Sequence, residues 1–103
     1  KNSINGLRLV LKENSFILEL IGGAILIPYV IFSDISIIFK LSIIITYILL
    51  LAFELFNTAI EKICNKINKN YDEDIKAIKD LSSSAVFIVL FLLIILIIFS
   101  FFI

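Results

Sequence analysis

Histidine, tryptophan and methionine are absent from this chain, and cysteine and proline occur once each, as Cys64 and Pro28. Without histidine and with a single thiol, one chain can build no disulfide framework, no zinc site and no Ser-His or Cys-His nucleophile pair. Acid–base chemistry is left to carboxylates and lysines. A surplus of one charge is also lacking, since nine basic residues balance nine acidic ones. No basic patch of the kind that tracks a nucleic-acid backbone is present, so DNA and RNA are not expected partners. Charge is scarce altogether, at 17% against 61% apolar residues in a chain of 103. That is too short for two domains and too apolar for an ordinary water-soluble one, so residues 1–103 are expected to form a single membrane domain. The first residue is lysine rather than methionine, and the natural start is expected to be trimmed or absent.

Long apolar runs are what the chain has in place of these groups, at 16–33, 37–60 and 81–103. Each is near the ~20 residues with which a helix crosses hydrocarbon. The first run follows Lys1, Arg8 and Lys12 as a secretory leader would, but no small-residue cleavage site follows it and two further runs do. Three transmembrane helices are therefore expected, at about 16–33, 37–64 and 81–103. Gly22, Gly23 and Pro28 suit a membrane helix that packs closely and kinks. Ser33-Asp34-Ile35-Ser36 reads as a tight turn, and 65–80, rich in Asn, Lys and Asp, as a polar connection. Three cations precede the first span, Lys40 lies near the turn, and five lie between Glu61 and Asp80. This asymmetry places the N-terminus and the second loop in the cytoplasm and the C-terminus outside. In residues 1–15, Ile4, Leu7 and Leu11 alternate with Arg8, Lys12 and Glu13 as in an amphipathic helix lying on the membrane surface. The plainer alternative is an extension of the first span.

Glu54, Asn57 and Glu61 interrupt the second run at spacings of three and four, which puts them on one helical face beside Thr58. An ionised side chain at membrane depth costs roughly 2.5–3.5 kcal/mol on insertion scales, so Glu54 is expected to face protein or water. Glu61 by itself is explained by pairing with Lys62 or Lys66 in the head-group zone. The stripe as a whole is not, and two carboxylates with an amide oxygen are suitable hard ligands for Mg²⁺. Glu54 lies roughly 10 Å farther along the helix than Glu61, toward the membrane centre. Glu61 is thus placed to meet a water-borne nucleotide, and Glu54 to meet a lipid hydroxyl. A carboxylate stripped of water takes up a proton more readily, which makes Glu54 the candidate base. Glu13 and Glu19 flank the cytoplasmic entrance of the first span, and the same argument applies to Glu19 among its apolar neighbours. Lys79-Asp80 precedes Leu81-Ser82-Ser83-Ser84. Asp80 is expected to cap the third helix with Ser83 at the reciprocal position, and Lys79 at that helix start suits a phosphate.

Ala52-Phe53-Glu54-Leu55-Phe56-Asn57-Thr58-Ala59-Ile60-Glu61, with Ala77-Ile78-Lys79-Asp80 and Ser83-Ser84-Ala85-Val86 downstream, resembles the prokaryotic diacylglycerol kinase family. The likeness covers nearly the whole chain, and Asn5-Gly6-Leu7-Arg8 adds a weaker match. The resemblance implies an all-α membrane protein of the bacterial inner membrane, a homotrimer of three-span chains with N-terminal surface helices and active sites shared between subunits. It implies an ATP-dependent lipid kinase with Glu54 as catalytic base and Glu13 and Glu61 as Mg²⁺ ligands, Asn57 close by. It also puts Lys79 on the transferred phosphate, with Asp80 and Tyr71 near the nucleotide. Glu19 and Ser83 fall to the lipid. Asn65 departs from the family's pattern, standing where an acidic residue is expected. Part of the surface helix that helps cover the nucleotide is also missing, so weaker nucleotide binding is expected.

The family also contains undecaprenol kinases built on the same motif, and Glu19 favours diacylglycerol because the polyprenol enzymes more often carry another polar residue there. Two other classes compete with a kinase. A small oligomeric transporter would use Glu19 or Glu54 to bind protons or cations, but leaves Lys79-Asp80 unexplained. An accessory subunit would use the stripe only to glue helices together, and Glu54→Gln would then be harmless.

Overall fold

A computed structural model describes residues 2–67 and 72–102, so Tyr71 lies outside the described residues. The described elements are helices: α1 (Asn2–Val10), α2 (Asn14–Phe32), α3 (Ile37–Ile67) and α4 (Glu73–Phe102). The last three are long and apolar enough to cross a bilayer. The short amphipathic helix precedes them, ending at Val10 rather than running to residue 15. Bonds from the Lys12 amide to the Leu9 carbonyl (3.2 Å) and from the Glu13 amide to the Val10 carbonyl (2.9 Å) tighten the chain there into a turn. Val10 is buried, whereas Ile4, Leu7 and Leu11 are exposed, leaving most of α1's apolar stripe to meet something other than this chain.

α2 ends where the Ser33 amide bonds to the Tyr29 carbonyl (3.0 Å) and the Lys40 ammonium donates to the Ile31 carbonyl (3.3 Å). A cation on the last carbonyls satisfies acceptors that no helical amide can reach. Ser36 then opens α3, its hydroxyl oxygen accepting from the Phe39 amide at 3.3 Å.

The polar stretch 65–80, expected as a connection, is largely helix, because α3 continues to Ile67 and α4 begins at Glu73. With 31 residues in α3 and 30 in α4, each spans about 45 Å, some 15 Å more than the hydrocarbon layer. Charged turns outside the lipid keep their helical bonds, and an i,i+4 pair between Lys76 and Asp80 (2.8 Å) supports them. The cap of α4 is consequently Asp72, whose Oδ1 accepts from the amides of Asp74 (2.9 Å) and Ile75 (3.2 Å). Asp80 lies two turns inside the helix and is no cap, which corrects the sequence expectation.

α4 packs chiefly along α3, and α2 less extensively. Val30, Ile43, Tyr47, Leu50 and Leu93 form the core between the three. At the end away from the charged turns, Tyr29 and Ser100 share a hydrogen bond of 2.8 Å, and the Tyr29 and Phe101 rings lie 5.2 Å apart. Most other large apolar side chains are exposed on the single chain.

Candidate functional site

The buried face of α3 follows a four-three repeat through Ile43, Tyr47, Leu50, Glu54, Asn57 and Cys64. The polar stripe is therefore the continuation of the core seam: its buried positions up to Leu50 are mostly apolar, with Thr46 among them, and Glu54, Asn57 and Thr58 make the next turn polar before Cys64. Glu54 is 5% exposed, Thr58 8% and Asn57 9%, so these polar groups face protein. Glu61, one turn farther out on the same face, is only half-buried.

Each neighbouring element adds a polar group to this seam. From α2, Glu19 lies beside Glu54, and its buried Oε1 has no hydrogen-bond partner among the described residues. Ionised carboxylates only accept hydrogen bonds, so this oxygen wants a donor: a proton, a cation or a hydroxyl. From α4, the Ser82 hydroxyl donates to the amide oxygen of Asn57 at 2.7 Å. At the junction of α1 and α2, Glu13 occupies the N-cap position without using its side chain as a cap. Its carboxylate lies 3.9 Å from the ammonium of Lys62, the residue after Glu61. Glu13 is thereby brought to the charged end of the α3 stripe. Lys79 reaches back from α4 to α3, its ammonium donating to the Asn65 side-chain oxygen at 2.5 Å.

Two expected site residues lie away from the stripe, and a third falls outside the described residues. Asp80 is exposed and paired with Lys76. Ser83 is exposed on α4, and the serine that reaches the stripe is its neighbour Ser82. Tyr71 is outside the described residues. Ser82 was legible from the helical period, since it follows Lys79 by three and shares its face. So was Tyr47, two turns before Glu54 on the α3 seam.

Next to Glu19 opens a cavity of about 590 Å³ between α2, α3 and α4, lined almost wholly by apolar side chains and reaching Tyr29 and Phe101 at its far end. A concave apolar space of this size with one charged group at its head is suited to an amphipathic ligand. No group of three or more acidic, histidine or cysteine side chains gathers into a metal cage among the described residues. Mg²⁺ needs none: it is usually held through one or two carboxylates, with water and phosphate oxygens completing its shell. Glu13 and Glu61 supply hard oxygens of the right kind at the charged end of the bundle.

A family model described as prokaryotic diacylglycerol kinase matches residues 1–101. No curated protein matches the chain.

Proposed function

The chain belongs to the prokaryotic diacylglycerol kinase family, and with it to the membrane lipid kinases; from that premise we propose that it transfers the γ-phosphate of ATP to diacylglycerol, giving phosphatidic acid. The observation that carries this reading is the buried Glu54, faced by Glu19 at the head of an apolar cavity. The apolar lining suits acyl chains, and the acceptor hydroxyl is a donor for the buried Glu19 Oε1, which has none among the described residues.

Glu54 takes the hydroxyl proton as the oxygen attacks the γ-phosphorus. A new O–P bond forms, the bond between the γ-phosphorus and its bridging oxygen breaks, and ADP leaves with the electron pair. Lys79 steadies the charge on the transferred group, moving from Asn65 to the phosphate oxygens. Asn57, fixed by Ser82, presents its amide to the nucleotide side of the site. Mg²⁺ would be held by Glu13 and Glu61 and would neutralise phosphate charge. Asp80 and Tyr71 are assigned to the nucleotide by family likeness.

The remaining assignments belong to the same proposal. The protein sits in the bacterial inner membrane with its N-terminus in the cytoplasm and its C-terminus outside, as the lysine and arginine distribution favours. It works as a homotrimer with shared sites, as likeness to the family suggests.

Diacylglycerol is preferred to undecaprenol because Glu19 adds a second polar group beside the reacting hydroxyl. A glycerol backbone can use it and a polyprenyl chain cannot. The test is Mg-dependent ADP release by the purified protein in lipid-containing micelles, with diacylglycerol, undecaprenol or no added lipid. Stimulation by diacylglycerol above undecaprenol is expected. The reverse order would make the protein an undecaprenol kinase, and stimulation by neither would remove the kinase reading.

A further inference from the structure

Glu19 and Glu54 stand on different helices, and α2 is apolar on nearly all sides, so its own pattern does not fix which face meets α3. Helix geometry makes that choice consequential. A slip of one residue moves a side chain along the axis by ~1.5 Å and around it by about 100°, enough to turn Glu19 away from Glu54.

Two contacts of Tyr47 prevent the slip. Its ring is 7% exposed and lies on the buried seam of α3, seven residues before Glu54. The phenol donates to the backbone carbonyl of Glu19 at 2.8 Å, which fixes the height of α2. The same ring fills a notch at Gly23: a methyl group there would overlap the hydroxyl and Cζ and lie 2.8 Å from Cε2. The notch fixes the rotation of α2. Gly22, its neighbour, has open space where a methyl group would go, so the requirement belongs to one glycine of the pair.

We propose that Tyr47 is a positioning residue for phosphoryl transfer: seated at Gly23 and bonded to the Glu19 carbonyl, it holds the Glu19 carboxyl opposite Glu54 so that both frame the acceptor hydroxyl. The inference rests on the lipid-kinase reading for its catalytic consequence, but its geometric content is independent of that reading.

The test is a double-mutant cycle on the full chain, combining Gly23→Ala with Tyr47→Ala and adding Tyr47→Phe. Two readouts are taken: kcat and KM for lipid and for Mg-ATP, and the rate of intrachain cross-linking between Glu19→Cys and Glu54→Cys in a Cys64→Ser background. With Tyr47 present, Gly23→Ala lowers kcat about tenfold or more, as a misplaced reacting group does, leaves KM for Mg-ATP within about twofold, and slows the cross-link. In the Tyr47→Ala background the same substitution has little effect on either readout, because nothing remains to clash. Tyr47→Phe falls between, losing about fivefold in kcat with its single hydrogen bond. An equal effect of Gly23→Ala in both backgrounds overturns the proposal. So does a cross-link that keeps its rate when the clash is introduced. If the parent protein phosphorylates no lipid, the kinase reading fails while the cross-link cycle still decides the geometry.

Discussion

The hydroxyl of Ser82 on α4 donates to the amide oxygen of Asn57 on α3 at 2.7 Å, tying the helix that carries Lys79 to the polar stripe that carries Glu54 and Glu61. Ser82 is also anchored to the Lys79 carbonyl at 3.0 Å. A Ser82→Ala variant loses one side-chain hydrogen bond between the helices, of the order of 1 kcal/mol. Its KM for Mg-ATP is expected to rise about fivefold while KM for lipid stays unchanged. Initial rates at varied nucleotide and varied lipid check this, and a change confined to the lipid would contradict it.

Lys79 is held by a neutral acceptor, Asn65, across the gap between α4 and α3. Lys79→Met keeps the aliphatic length and removes the charge. The proposed contact with the transferred phosphate predicts a fall of about 100-fold in kcat/KM for Mg-ATP, with helicity by circular dichroism unchanged. Activity near the parent level would remove Lys79 from the site.

The correction at the start of α4 has its own consequence. Asp72, not Asp80, accepts from the first-turn amides, so Asp72→Ala is expected to weaken that end of the helix by about 1 kcal/mol. Hydrogen exchange at Asp74 and Ile75 is expected to quicken in Asp72→Ala and to keep its rate in Asp80→Ala.

Adjacent glycines in α2 are predicted to differ. Gly23→Ala meets the buried Tyr47 ring and costs roughly 1–3 kcal/mol as an overpacked site, whereas Gly22→Ala meets nothing within 4 Å among the described residues. Thermal melting in micelles is expected to fall for the first substitution and hold for the second.

Much of the fold was legible because membrane spans announce themselves by length and apolarity, and the stripe because 3.6-residue periodicity puts Glu54, Asn57 and Glu61 together. The helix ends were less legible. Lipid solvation sets where a span is apolar, but α3 and α4 stay helical beyond it, so a composition change near 65 and 80 was not a change of structure. Asp80 and Ser83 were misplaced by that same step, since a helix taken to start at Leu81 makes them its cap. The pairing of Glu19 with Glu54 depends on which face of α2 meets α3. That is set by the fit of Tyr47 into Gly23, a relation between distant residues that neither helix displays alone.

The claim that Glu54 is the base for phosphorylating a lipid hydroxyl is tested most directly by following labelled γ-phosphate from ATP into extracted lipid, for the parent chain and Glu54→Gln. The account predicts Mg-dependent label in phosphatidic acid for the parent and a loss of about 1,000-fold in Glu54→Gln. Label that never enters lipid, or that enters at the parent rate in Glu54→Gln, would contradict it.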